Sequence, residues 1–308
     1  MRPLRRILSA VAIFSVLTIL LSSCSLPVSL PENIEENTQA TLQKAEAGEI
    51  SVHFFDVGQG DSEFVQLPNG ETILIDGGES IMGERVVENI SAMGYDEITY
   101  LVATHPHSDH IGGLCAVLDA FDVQNVYMPD ASSDAEYYGN FLQKVYDENC
   151  KVLRAKSGAS IIDSEDLSVY FIAPVSSSYS EENNYSAVLK IEYGENSFMF
   201  MGDAESLVED ELSCNVSADV IKVGHHGSST SSSQSFVNRV NADFAVIECG
   251  ENSYGHPDRE VVERWQNSGA DVYRTDEYGN TTFIGNGKTL EVITEFDNAQ
   301  DYETANAA

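Results

Sequence analysis

Hydrophobic residues fall in short runs separated by turn-forming residues, and the runs change character along the chain. Ile50–Asp56 and Ser62–Leu67 read as strands around the tight turn Gly58–Asp61. Pro68-Asn-Gly70 is a hairpin signal, and Glu71–Ile75 is its returning strand, ending at Asp76-Gly-Gly78. A helix is expected over Ile81–Met93, then a buried strand over the apolar run Ile98–Ala103. Ile111, Leu114, Cys115 and Leu118 follow at i, i+3, i+4, i+7, the spacing of a helix over 109–120 with one face on a core. A strand at 123–127 and a helix at 135–148 come next. Strands are then expected at Lys151–Ala155, Leu167–Ala173, Ser186–Tyr193 and Ser197–Met201. Helices near 205–213 and 233–240 alternate with strands Ala218–Val223 and Phe244–Glu248. Pro257 suits the first turn of a helix carrying Val261, Val262 and Trp265, and two or three short strands close the pattern. Strands early and late with helices between them predict an α+β fold, a four-layer αββα sandwich, in a single domain over 49–295.

The ends differ in composition. Arg2, Arg5 and Arg6 precede the apolar run Ile7–Leu21, and Leu21-Ser-Ser-Cys24 follows, the pattern of a bacterial lipoprotein signal over 1–23 with lipid on Cys24. The run is short for a spanning helix, which needs roughly 20 residues. The expected location is therefore outside the cytoplasm, anchored to the cell membrane by lipid. Residues 24–48 read as a flexible tether, and the acidic, alanine-rich 296–308 as a disordered tail. Cys115, Cys150, Cys214 and Cys249 are widely spaced without a CxxC, which excludes a zinc ribbon and a dense disulfide framework.

A net charge of −34 changes the range of partners. Such a surface repels polyanions and lacks the basic stripe of a protein that grips extended duplex nucleic acid. It leaves small molecules or short phosphodiesters as substrates, since bound metal ions can reverse the sign locally.

The chemistry is concentrated at strand ends. Thr104–Gly113 packs His105, His107, Asp109 and His110 into one turn between the strand and the helix. Imidazole and carboxylate together suit zinc, manganese or iron, and can hold two ions side by side. Asp203 ends the apolar strand Phe198–Met201, and His225-His226 follow another strand. A carboxylate between such groups can bridge two cations about 3.5–4 Å apart.

With His-x-His-x-Asp-His complete, the chain resembles the metallo-β-lactamase superfamily. More narrowly, it resembles the extracytoplasmic metallohydrolase domain of ComEC-type competence proteins. That likeness rests on Phe55–Ser62, Leu74–Gly78, Thr104–Gly113, Met201–Ala204, Lys222–Ser228 and Tyr254–Pro257; choline-phosphate esterases share much of it. The resemblance implies two divalent ions, Zn or Mn: His105 and His107 on one, Asp109 and His110 on the other, and Asp203 between them. His225 is expected to complete the second site. Asp76 would orient a ligand histidine from behind, with Asp61, Gln59 and Asn184 in similar supporting positions. Asp109, His226 and His256 are the candidate catalytic groups, the two histidines assisting a leaving group. Two departures stand out. No histidine occurs between His110 and His225, so the first ion lacks a usual ligand, and Asn183–Ser186 lies where it is expected. The channel and accessory domain of the competence proteins are not represented. The implied activity is hydrolysis, foremost of phosphodiesters, by a metal-activated water. The competing readings are hydrolysis of a lactone, thioester or lactam on the same site, and a non-catalytic binding lipoprotein.

Overall fold

The computed structural model describes residue 38 and residues 40–306. The expected signal segment and Cys24 lie outside the described residues. The chain begins with β1 (Ile50–Phe54), β2 (Glu63–Gln66), β3 (Thr72–Ile75), β4 (Glu97–Val102), β5 (Asp122–Met128) and β6 (Lys151–Arg154). It continues with β7 (Ser160–Asp163), β8 (Leu167–Phe171), β9 (Leu189–Tyr193), β10 (Asn196–Phe200), β11 (Val220–Lys222), β12 (Phe244–Ile247) and β13 (Asp271–Arg274). It closes with β14 (Thr281–Gly285) and β15 (Leu290–Thr294). One sheet has the order β15-β14-β1-β2-β3-β4-β5-β6 and the other β13-β12-β11-β10-β9-β8-β7. β3 to β6 run parallel, as do β10 to β13, so several strand ends in each sheet point to one edge of the sandwich.

The alternation of side chains explains the layering. Val52 and Phe54 of β1 meet Phe198 and Phe200 of β10 in the core between the sheets, which also holds Phe171 and Phe283. On the outside of the second sheet, Met199 and Ile221 pack with Val237, Val261 and Trp265 from its covering helices. On the outside of the first, Leu74 and Leu101 pack with Val86, Ile90, Leu118 and Phe141. The four-layer αββα order expected from the sequence is the one observed. Among the described residues no helix is long and apolar enough to cross a membrane.

Several expectations are corrected. The helix expected over 109–120 is two helices, Ser108–Ile111 and Leu114–Ala120, interrupted at Gly112-Gly113. A Cβ on Gly113 would lie 2.1 Å from the Gly77 carbonyl oxygen, so the loop after β3 presses directly on this break. The hydrophobic pattern does not mark the edge strand β7, which is short and polar at both ends; in the fold its register shifts against β8. Pro257 is not helical: the helix is Arg259–Ser268, and Asp258 caps it by accepting from Glu260 N at 2.8 Å. Within the tail, Ala299–Asn306 is helical. Asn298 Oδ1 accepts from Gln300 N at 3.0 Å, and Tyr302 stacks edge-on against Phe296 and reaches Asp56 at 3.2 Å. The expected tether also ends earlier than residue 48. Thr41 is fully buried, and its carbonyl accepts from Thr282 Oγ1 at 2.8 Å and lies 2.8 Å from His53 Nδ1.

His53, on the side of β1 away from the inter-sheet core, gives a stability prediction. Burial lowers its pKa from 6.5 to about 4, with the Thr41 carbonyl opposing. A histidine with a depressed folded pKa contributes stability that is full above pH 6.5 and is lost as pH falls towards 4, on the order of 3 kcal/mol in total. Urea titrations at pH 7 and pH 4.5 are expected to show a smaller acid loss in His53→Gln than in the wild type. An equal loss in both proteins removes His53 as the cause.

Candidate metal centre

Four loops meet at one edge of the sandwich. From the first sheet come Asp76-Gly-Gly78 after β3 and Thr104–His110 after β4; from the second come Asp203 after β10 and His225-His226 after β11. Backbone bonds lock the first two together: Gly77 N donates to His110 O at 2.7 Å and Gly113 N to Gly78 O at 2.9 Å. The turn at 58–61 closes over them, with Asp61 N donating to Asp109 O at 3.1 Å. Asp76, His225 and His226 all adopt positive φ (53°, 52° and 49°), conformations that cost non-glycine residues of order 1–3 kcal/mol each. At 225-226 this turns one ring into the protein and leaves the other facing a cavity.

Asp203 sits at the centre, and its two oxygens face different ring sets. Oδ1 lies 3.2 Å from His110 Nε2 and 3.5 Å from His226 Nε2; Oδ2 lies 3.6 Å from His105 Nε2 and 3.7 Å from His225 Nε2. His226 Nε2 is also 3.4 Å from Asp109 Oδ2. These are the separations expected between neighbouring ligands of an ion with bonds of about 2.0–2.2 Å. His105, His107 and Asp203 form one group able to hold an ion. His105 Nε2, His110 Nε2, His226 Nε2 and Asp203 Oδ1 are buried without a hydrogen-bond partner, an arrangement of donor atoms that fits divalent metal. Among the sequence candidates, His105, His107, Asp109, His110 and Asp203 are brought together. His225 is corrected: the inward ring closest to Asp109 and His110 is His226. His225 Nδ1 instead faces Thr230 Oγ1 at 3.1 Å and Glu205 Oε1 at 3.5 Å.

Behind each ring stands a partner that fixes its orientation. Asp76 Oδ2 is 2.7 Å from His110 Nδ1, and Asp76 is itself held by Thr104 N at 2.8 Å. His226 Nδ1 lies 3.0 Å from Glu248 O and 3.1 Å from Asp61 Oδ1. His105 Nδ1 is flanked by Thr104 Oγ1 at 3.1 Å and Ser186 Oγ at 3.4 Å, and Ser186 also accepts from Asp203 N. Asn184 is corrected, because its side chain donates to Glu205 at 2.9 Å and touches no candidate ligand. The neighbouring Glu182 does, with Oε2 3.3 Å from His107 Nε2. Glu182, Glu205 and Glu248 leave no pattern in the sequence, whereas Ser186 lies in the segment 183–186 expected beside the first ion. Lys222 had a signal, a charge inside an apolar strand.

Glu182 and His107 are both partly exposed, so their contact is solvent-screened. Glu182→Gln is expected to weaken one of two ion-binding events about 10-fold and spare the other, at the low end for partners behind a ligand histidine. Calorimetric titration with Mn²⁺ and Zn²⁺ reads this out; two unchanged affinities would remove Glu182 from the centre.

The electrostatics suit cation binding. Burial opposes charge on His226, but Asp203 and Asp61 beside it push its pKa up to about 10. Despite burial, His110 and His226 hold the carboxyls of Asp203 and Asp109 well below the usual range. Carboxylates therefore draw positive charge onto the imidazoles. The adjoining cavity, of about 270 Å³, is lined by Gln59, Tyr137, His225, Tyr254 and His256. The His225 and His256 rings meet edge-on at 5.2 Å. His256 faces this cavity rather than capping the following helix.

Residues 55–250 match the family model of the metallo-beta-lactamase superfamily, and the chain belongs to that superfamily. Within it the chain is ComEC-like. It is 30% identical over 281 residues to ComE operon protein 3 of Bacillus subtilis (strain 168), covering 84% of this chain and 36% of that protein. It is 29% identical to competence protein ComA of Neisseria gonorrhoeae, covering 83% and 34% respectively. The chain thus spans little more than a third of these relatives. CmlA, a diiron beta-hydroxylase from Streptomyces venezuelae, superposes with a TM-score of 0.51 at 16% identity, over 75% of this chain and 53% of that one, which shows a shared fold alone.

Proposed function

We propose that this protein is a metal-dependent phosphodiesterase acting outside the cytoplasm. The observation that carries the reading is Asp203, whose two oxygens face separate histidine sets with unpartnered nitrogens. Two divalent ions, Zn or Mn, held by His105, His107, Asp109, His110, Asp203 and His226, would add positive charge beside phosphoryl oxygens and acidify a water. The remaining work falls to the chain. Asp203 keeps the two ligand sets in register. Glu205 and Thr230 aim His225 at the cavity, where the His225 and His256 rings stand beside the position a leaving group would take. The polar cavity favours a small charged substrate over a bulky apolar one.

Export and lipid attachment at Cys24 rest on the sequence pattern of residues 1–24. Mass analysis of the membrane fraction tests them, since an acylated N-terminal Cys24 is expected there.

The activity test is purified protein with Mn²⁺ or Zn²⁺ against bis(p-nitrophenyl) phosphate, a lactone and a thioester. Phosphodiester turnover abolished by EDTA and restored by metal is the expected result. Turnover of the acyl substrates alone would replace this reading with the acyl-hydrolase one, and two bound ions without any turnover would favour a binding role.

A further inference from the structure

The edge of the first sheet that carries the metal loop holds a second polar feature. β4 runs into Thr104–His110, β5 ends at Met128, and β6, paired in parallel through Met128 and Arg154, ends beside it. Beyond the ends of β5 and β6 opens a cavity of about 250 Å³ lined by Asp130, Arg154, Lys156, Ser176, Ser177 and Tyr185. Tyr185 of this lining directly precedes Ser186, whose hydroxyl lies 3.4 Å from His105 Nδ1, so one short stretch of chain links the cavity to the metal centre.

The charge at this place runs against the rest of the molecule. The chain has 16 Lys and Arg against 50 Asp and Glu. Lys144, Lys222, Arg259 and Arg274 are each neutralised by nearby carboxylates. Lys156 has no carboxylate within ion-pairing distance among the described residues, and it stands two residues from Arg154. Arg154 is paired with Asp130, but both are well exposed, and such a surface pair is weak because solvent screens it. An incoming anion can therefore take over the guanidinium at little cost, with two parallel N–H donors.

We propose that Arg154 and Lys156 form a subsite for a second phosphate, on substrates whose scissile phosphodiester lies at the metal centre. The inference rests on the phosphodiesterase reading and narrows it to substrates carrying at least two phosphates. The second phosphate is either a terminal group or the next linkage of a short oligonucleotide. Kinetics on thymidine dinucleotide with and without a 5′-phosphate, and on the trinucleotide, distinguish these two sources. The wild type is expected to show a KM about 10-fold lower for one or both two-phosphate substrates. Arg154→Ala/Lys156→Gln is expected to erase that difference while leaving bound metal and bis(p-nitrophenyl) phosphate turnover unchanged. Equal KM values in the wild type, or a difference that survives in the variant, overturn the subsite. If no phosphodiester is turned over, the phosphodiesterase reading falls by itself. The subsite is then judged by titrating inorganic pyrophosphate in EDTA: binding lost in the variant supports it, and no binding to the wild type overturns it.

Discussion

Asp203→Asn is expected to lower phosphodiester turnover at least 1000-fold and to reduce bound metal from two ions to one or none. The magnitude follows from what the carboxylate does. Its two oxygens face both the His110–His226 pair and His105, at 3.2–3.6 Å. An amide keeps the shape but presents one neutral oxygen and one NH₂, so one ring set would face donor hydrogens. The loss of a negative charge also removes the main attraction for cations at the centre of three buried imidazoles. Removing a group that acts as part of a catalytic unit costs about 10³–10⁶ in turnover, so a loss of 1000-fold is a lower bound. Metal content by mass spectrometry and turnover of bis(p-nitrophenyl) phosphate check the two halves separately. Two retained ions with near wild-type turnover would show that Asp203 bridges nothing. His226→Ala in the same assay is expected to lose an ion, and His225→Ala to keep both while turning over more slowly. This pair tests the reassignment of the inward ring.

Much of this centre was legible in the sequence because its ligands lie in short motifs at the ends of apolar strands. His105, His107, Asp109 and His110 occupy one turn, and parallel strands bring such turns to a common edge. The assignment within 225-226 was not legible. Adjacent residues point in opposed directions, and which one turns inward depends on two consecutive left-handed backbone conformations that neither residue advertises. The helix break at Gly112-Gly113 was missed for a similar reason. The apolar spacing continues through it, and the glycines are required by backbone pressed against them, the Gly77 carbonyl on Gly113 and the Glu79-Ser80 backbone on Gly112. Glu182 could not be read at all, because its role comes from where the 3₁₀ turn Glu182–Tyr185 is docked. In the tail, composition suggests disorder, and what it does not show is that Tyr302 of the 299–306 helix meets the Phe296 ring and bonds Asp56.

The second large effect is expected away from the metal, at Lys222. This side chain is fully buried at the end of β11, where Nζ donates to Asp61 Oδ2 at 2.6 Å and to Val223 O at 3.1 Å. Glu63 and Glu248 lie in the same buried group with Asp61. Burial and the neighbouring carboxylates push both upward, Glu63 well above the usual range and Glu248 to about 8, so near neutral pH Glu248 is largely protonated. Asp61 is different: burial alone would raise it, but Lys222 and His226 keep it ionised. Lys222→Met therefore leaves a buried carboxylate facing two acidic neighbours, and is expected to destabilise the fold by about 3–5 kcal/mol. The same change frees Asp61 from its place behind His226, so metal affinity should fall along with stability. Asp61→Asn combined with Lys222→Met removes the stranded charge and is expected to recover more than half of the lost stability. Metal binding should not recover in step, since the amide holds the His226 ring less firmly. Urea denaturation of the two single variants and the double variant measures the coupling. A Lys222→Met protein as stable as the wild type would mean that Asp61 takes up a proton without cost. The buried pair would then contribute nothing to positioning the ring in front of it.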